Sequence, residues 1–109
     1  MQQTLLGEAA DDCHAAIFVY DDEGRYVAVN RFACELLGYS RDELLALRTH
    51  DLAPEDNVDG RLGELLRAGA LAARGTARAK DGRIVTLSYR SCATRVGGTE
   101  LWVTVAFPE

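Results

Sequence analysis

The run from Ile17 to Asn30 constrains this chain more than any other stretch of it. Ile17-Phe18-Val19-Tyr20 is a short apolar, β-favouring segment, Arg25-Tyr26-Val27-Ala28-Val29 is another, and Asp21-Asp22-Glu23-Gly24 lies between them. Aspartates bond readily to nearby backbone, and glycine accepts a positive φ, so the two segments are joined by a tight turn as a hairpin. Asn30 follows with no spacer and is suited to cap a helix that begins at Arg31. Phe32, Ala33, Leu36 and Leu37 fall on one side of that helix and Glu35 on the other. Gly38 is placed to end it in a left-handed cap.

The rest of the chain repeats these two devices. Ser40-Arg41-Asp42-Glu43 has the spacing of a capping box and starts a helix that buries Leu44, Leu45 and Leu47. Asp51 to Asp56, with Pro54, reads as a loop or a single helical turn. Val58, Leu62, Leu65 and Leu66 then mark an amphipathic helix running to Ala68, weakened by Gly60 and Gly63 and ended by Gly69. Ala70 to Ala79 is a weak strand, Asp81-Gly82 a two-residue hairpin turn, and Ile84 to Tyr89 a clear strand. Gly97-Gly98 turns the chain into a last strand, Leu101 to Phe107. Before all of these, Leu5, Leu6, Ala9, Cys13 and Ala16 form one helical stripe within Thr4–Ala16. Hairpins around an inserted helical block imply an α+β fold, an antiparallel sheet with short helices packed on one face.

Composition removes several classes of function. The chain has 109 residues, enough for one domain, with 48% hydrophobic residues and a net charge of -5. Its arginines occur singly among carboxylates, so the basic stripe of a direct nucleic-acid binder is missing. No apolar run approaches the roughly 20 residues needed to span a bilayer, so no membrane insertion is expected. Cys13, Cys34 and Cys92 are an odd set without CxxC spacing, which fits a cytoplasmic domain with reduced thiols. Gly-x-Ser-x-Gly, phosphate-loop and HExxH patterns are missing, and the carboxylates fall in turns or on polar helix faces, so no enzyme is expected.

The hairpin Ile17–Asn30, then Phe32-Ala33-Cys34-Glu35-Leu36-Leu37-Gly38-Tyr39-Ser40-Arg41-Asp42-Glu43-Leu44, the Asp51-Leu52-Ala53-Pro54-Glu55-Asp56 loop and the Asp81-Gly82 hairpin together resemble the Per-Arnt-Sim (PAS) family. The resemblance spans about residues 14 to 107. It implies a five-stranded antiparallel sheet whose concave face holds a pocket under short helices, with residues 15–107 as the domain and 1–14 as an N-terminal flanking helix. It also implies a sensory role, relayed to an effector such as a kinase, cyclase, phosphatase or transcription regulator. Family members often continue through a short Asp-Ile-Thr-like junction, which Phe107-Pro108-Glu109 does not reproduce.

Under that resemblance, Phe32, Leu36, Leu45, Leu62, Leu66, Leu87, Tyr89 and Val103 are the candidates to line a pocket for a small apolar ligand, with Tyr89 or Ser91 supplying a hydroxyl. The alternative is that these side chains fill the core and the module acts without ligand, through dimerisation. Leu5, Leu6, Ala9, Trp102 and Phe107 are the candidate contacts of a homodimer, the last two on an exposed outer sheet face. No cofactor is predicted, with haem and flavin left open. Flavin photosensors of the family carry a reactive cysteine where Leu47 to Leu52 has none, and the Val58–Ala68 helix lacks the histidine that haem-binding members use. His14 and His50 read as surface residues, Cys34 and Cys92 as small packing residues, and no metal site is expected.

Overall fold

A computed structural model describes residues 8–53 and 67–109. The expected hairpin is formed by β1 (Ala16–Tyr20) and β2 (Tyr26–Val29). Asp21 closes its turn, its Oδ1 accepting from the backbone N–H groups of Glu23 and Arg25, while Gly24 takes φ 81°. Three further strands, β3 (Ala70–Arg78), β4 (Ile84–Val96) and β5 (Thr99–Pro108), complete a sheet of order β2-β1-β5-β4-β3. Each neighbouring pair is antiparallel. Among the described residues between β2 and β3 lie the short helices α1 (Arg31–Leu37), α2 (Arg41–Leu45) and α3 (Thr49–Leu52). The α+β fold inferred from the sequence is the one observed.

The side-chain amide of Asn30 ties these pieces together. Its Oδ1 accepts from Ile17 N–H at 2.9 Å and from Ala33 N–H at 3.1 Å, so it bonds β1 and caps α1 at once. Its Nδ2 donates to the carbonyls of Ala10 at 2.7 Å and Ala15 at 2.8 Å. An amide side chain has two donors and two acceptor lone pairs, and all four are used. Asn30 is 5% exposed, and its bonds to Ala15 and Ala33 are made where water does not compete.

The N-terminal helix ends earlier than its stripe suggested. Residues 8–12 are helical, residues 13–15 bend, and Ala16 is the first residue of β1 and fully buried. Two carbonyls five residues apart converge on one Nδ2 group, which a continuing helix could not allow. The turn is held against α1 by Asp11, whose Oδ1 accepts from Arg31 N–H and from the Arg41 guanidinium.

The caps of α1 and α2 follow the sequence. Gly38 ends α1 at φ 78°, and the Ser40–Glu43 capping box is complete. Burial is more selective than expected, because α2 has only five residues and presents one face. Leu44 is fully buried, Leu47 is half-buried, and Leu45 is left 37% exposed. The backbone of Leu47 accepts from Tyr26 N–H, and that of Thr49 donates to Gly24, which covers the open edge of β2.

Two turns fix the long strands. Gly97 and Gly98 both have positive φ, 57° and 83°, as a tight two-residue hairpin requires. The β3–β4 turn differs from the expected Asp81-Gly82 pair. Gly82 N–H bonds the Ala79 carbonyl, so Lys80 and Asp81 are the central residues and Gly82, at φ 93°, closes the loop. Lys80 N–H then caps the carbonyl of Leu37 at the end of α1. At the far end of the sheet, the Glu109 carboxylate bonds both Arg74 of β3 and Ser88 of β4.

Asn30→Ala would strip four backbone groups of their partner, two of them in buried bonds. We expect a loss of about 2–4 kcal/mol in urea unfolding. Asn30→Asp, which keeps the acceptors and removes the donors to Ala10 and Ala15, should lose stability and loosen the N-terminal turn as read by hydrogen exchange. A loss below about 1 kcal/mol for Asn30→Ala would contradict the role given to this residue.

Candidate functional site

Alternation along the strands divides the sheet into two faces. Facing the helices are Phe18 and Tyr20 of β1, Thr104 and Ala106 of β5, and Leu87, Tyr89 and Ser91 of β4, with Leu71 and Ala77 of β3. Tyr26 joins them because β2 bulges. The register slips between Val19 and Tyr20, so that Tyr26 and Val29 both face the core while Val27 and Ala28 face solvent.

These side chains, with Thr49, Leu52 and Ala53 around α3, line a cavity of about 140 Å³. Small residues leave the space. Ala106 pairs with Tyr89 and Gly75 with Leu87, so each large side chain on β4 has no bulky cross-strand partner on one flank. One wall is aromatic, with Phe18 and Tyr26 ring centres 5.4 Å apart and Tyr20 and Tyr26 edge-to-face at 6.2 Å.

The polar part of the cavity includes a row of three bonded hydroxyls, beside the separate hydroxyl residues Tyr26, Thr49, Thr76 and Tyr89. Thr104 Oγ1 lies 2.9 Å from Tyr20 Oη and 2.6 Å from Ser91 Oγ, linking β1, β5 and β4. Among the described residues, the cavity wall holds no Asp, Glu, Lys, Arg, His or Cys. Burial pushes the Tyr20 phenol above its ordinary value of 10.0, partly offset by the nearby hydroxyls of Thr104 and Ser91. Burial pushes Tyr26 further up still, with the neighbouring Tyr20 and Asp51 adding to it.

The eight residues expected around a pocket separate into distinct places. Leu87 and Tyr89 line the cavity, as does Ser91. Phe32 is instead half-buried against His14, ring centres 5.9 Å apart, and Leu36 packs at the edge of the core. Helix α1 turns Ala33 and Leu37 inward, so Phe32 and Leu36 flank the buried stripe rather than form it. Leu45 is exposed, and Leu62 and Leu66 lie outside the described residues.

In strand β5, Trp102 and Val103 have the opposite facing from the one expected, and Phe107 is on the outer face. Trp102 pairs with Tyr20 on the inner face and is only 3% exposed, with its indole N–H unpartnered among the described residues. It is therefore a core residue and no part of an outer patch, whereas Val103 is on the outer face. That face carries Leu101, Val103, Val105 and Phe107 of β5, next to Ile17 and Val19 of β1. Phe107 is 51% exposed. Ala9 is exposed on the N-terminal turn, and Leu5 and Leu6 lie outside the described residues.

The remaining reactive groups stand apart from the cavity. His14 and His50 are exposed and do not line it. Cys34 is partly buried, and that burial pushes its thiol up, which suits a packing residue. Cys92, expected to pack, is exposed on the outer face, as is Cys13 on its bend. Among the described residues, no cluster of three His, Cys, Asp or Glu could hold a metal ion, and no helix is long and apolar enough to cross a membrane.

With this geometry, comparison with known proteins is direct. The chain belongs to the PAS family, whose PAS fold model matches residues 6–106. A PAS domain from a two-component sensor histidine kinase is similar, with a TM-score of 0.86 at 18% identity, covering 99% of this chain and 96% of that one. The PAS domain of an HTR-like protein from Haloarcula marismortui gives a TM-score of 0.88 at 18% identity, covering 99% and 92%. A domain of a sensory box sensor histidine kinase/response regulator from Geobacter sulfurreducens gives 0.78 at 25% identity, covering 95% and 92%. No curated protein matches the chain in sequence.

The raised phenols set an alkaline limit. A group whose folded pKa lies above its unfolded value contributes stability below the unfolded pKa and loses it as pH rises toward the folded one. Tyr20 and Tyr26 should therefore cost stability as pH climbs above 10.0. Phenolate absorbance should show both remaining protonated until the chain unfolds, and replacing both by Phe should remove that late step. Ionisation of all tyrosines before unfolding would contradict the buried placement.

Proposed function

We propose that this chain is a sensory signalling module that admits a small, largely apolar ligand to its central cavity and relays occupancy to an effector. The observation that carries the reading is the roughly 140 Å³ cavity itself, floored by Ala106 and Gly75 and free of charged side chains among the described residues. An apolar cavity of about 150 Å³ in another protein stays dry and accepts benzene, so this space suits one small ring or a short aliphatic chain. The similar domains from sensor kinases support a signalling role, and a kinase, cyclase, phosphatase or transcription regulator is the kind of effector proposed. No cofactor is required by this reading, and the module is placed in the cytoplasm.

Occupancy acts on the fold only through unequal affinity for two arrangements of it. Strand β5 is the natural carrier, because Thr104 and Ala106 meet the cavity while Val103, Val105 and Phe107 form the opposite surface. That apolar surface supports a second reading, in which the module is a homodimer joined through its outer sheet face.

Two measurements separate these readings. Ala106→Leu should fill the cavity, raising stability by about 0.5–2 kcal/mol and removing any ligand seen by native mass spectrometry. Destabilisation by more than about 2 kcal/mol would mean that the interior is already full. For the homodimer, Val105→Lys combined with Phe107→Asp should halve the mass found by sedimentation, and an unchanged mass would contradict it.

A further inference from the structure

The row of hydroxyls has a property that the apolar walls around it lack. Thr104 Oγ1 sits between two partners, Tyr20 Oη and Ser91 Oγ, and either atom of each pair can be the donor. The chain of bonds can therefore run in two directions. When Ser91 donates to Thr104 and Thr104 to Tyr20, the phenol proton is left to donate outward. When the order reverses, Tyr20 donates to Thr104 and Thr104 to Ser91, so the outward proton belongs to Ser91 and Tyr20 offers only oxygen lone pairs outward. Hydroxyl rotation interconverts the two orders without moving a heavy atom.

All three residues line the cavity, and Ser91 and Tyr20 are buried. A ligand that fills the apolar space without a polar atom leaves one outward proton unanswered, which costs affinity. An ionised ligand has no opposite charge on the wall among the described residues to offset its lost hydration.

We infer that the cavity selects a neutral, single-ring ligand bearing one hydrogen-bonding group, of the phenol, aryl alcohol or aryl amide kind, docked on the Tyr20–Thr104–Ser91 hydroxyl row. This rests on the ligand-binding reading above and narrows it. The row accepts either a donor or an acceptor from the ligand, so the discriminating features are ring size, neutrality and the presence of one polar atom. The two other tyrosines on the wall, Tyr26 and Tyr89, bound the ring space.

The test uses the 109-residue chain with three probes of similar size: phenol, benzene and benzoate. Calorimetry at neutral pH should rank phenol above benzene by about fivefold to tenfold, the worth of one buried hydrogen bond, with benzoate weakest. Removing the whole row with Tyr20→Phe, Ser91→Ala and Thr104→Val together should bring phenol and benzene to within about twofold. Should that triple variant fail to fold, the ranking of the three probes by the unaltered chain carries the test. Equal binding of phenol and benzene by the unaltered chain, or tighter binding of benzoate, would overturn the hydroxyl assignment alone. Failure of all three probes to bind would overturn the ligand reading and this inference with it.

Discussion

Four hydrogen bonds meet at the buried amide of Asn30, and the arrangement of the other elements follows from them. One oxygen joins the start of β1 to the start of α1, and one nitrogen gathers the carbonyls of Ala10 and Ala15. The hairpin must therefore pass directly into a helix that doubles back over the sheet. Gly38 and the capping box at Ser40 then stop and restart the chain within a few residues. Helices this short cannot be stable alone, and they hold because Ala33, Leu37 and Leu44 are fully buried.

A sheet covered by short helices can be packed solid, and here the described side chains leave a space of about 140 Å³. Alanine and glycine occupy the middle of the inner face, while the aromatics of β1 and β2 stand along one side. Three of the hydroxyls remaining within, those of Tyr20, Thr104 and Ser91, bond in a row across three strands. A carboxylate in that position would need a partner, whereas a hydroxyl row remains neutral and nearly satisfied. The pleat of β5 places this row and the apolar outer surface on consecutive residues, so a change at one face is mechanically close to the other.

How much of this was legible depends on how local the signal is. Asn30, Gly38, Ser40–Glu43 and Gly97-Gly98 act on their immediate neighbours, and their roles can be read residue by residue. The facing of β5 could not be read in this way. Leu101-Trp102-Val103-Thr104-Val105-Ala106-Phe107 has almost no polar alternation, and a shift of one residue exchanges Trp102 for Val103. The bulge in β2 similarly hides the pairing of Tyr26 with Tyr20. Ser91 and Tyr89 could be picked out as inner hydroxyls on a clear strand, but Tyr20 and Thr104 meet only through a register that spans eighty-four residues of chain. The cavity was illegible for the same reason. It is made by the absence of side chains at Gly75 and Ala106, and which residues oppose them is a property of the sheet.

The account turns on whether that space is present and apolar in the folded chain. Xenon, which enters small dry cavities, tests this without any assumption about the natural ligand. A crystal of the chain held under xenon should show a single gas atom bounded by Phe18, Leu87 and Ala106. An interior without xenon, in which those three side chains touch one another, would contradict the account.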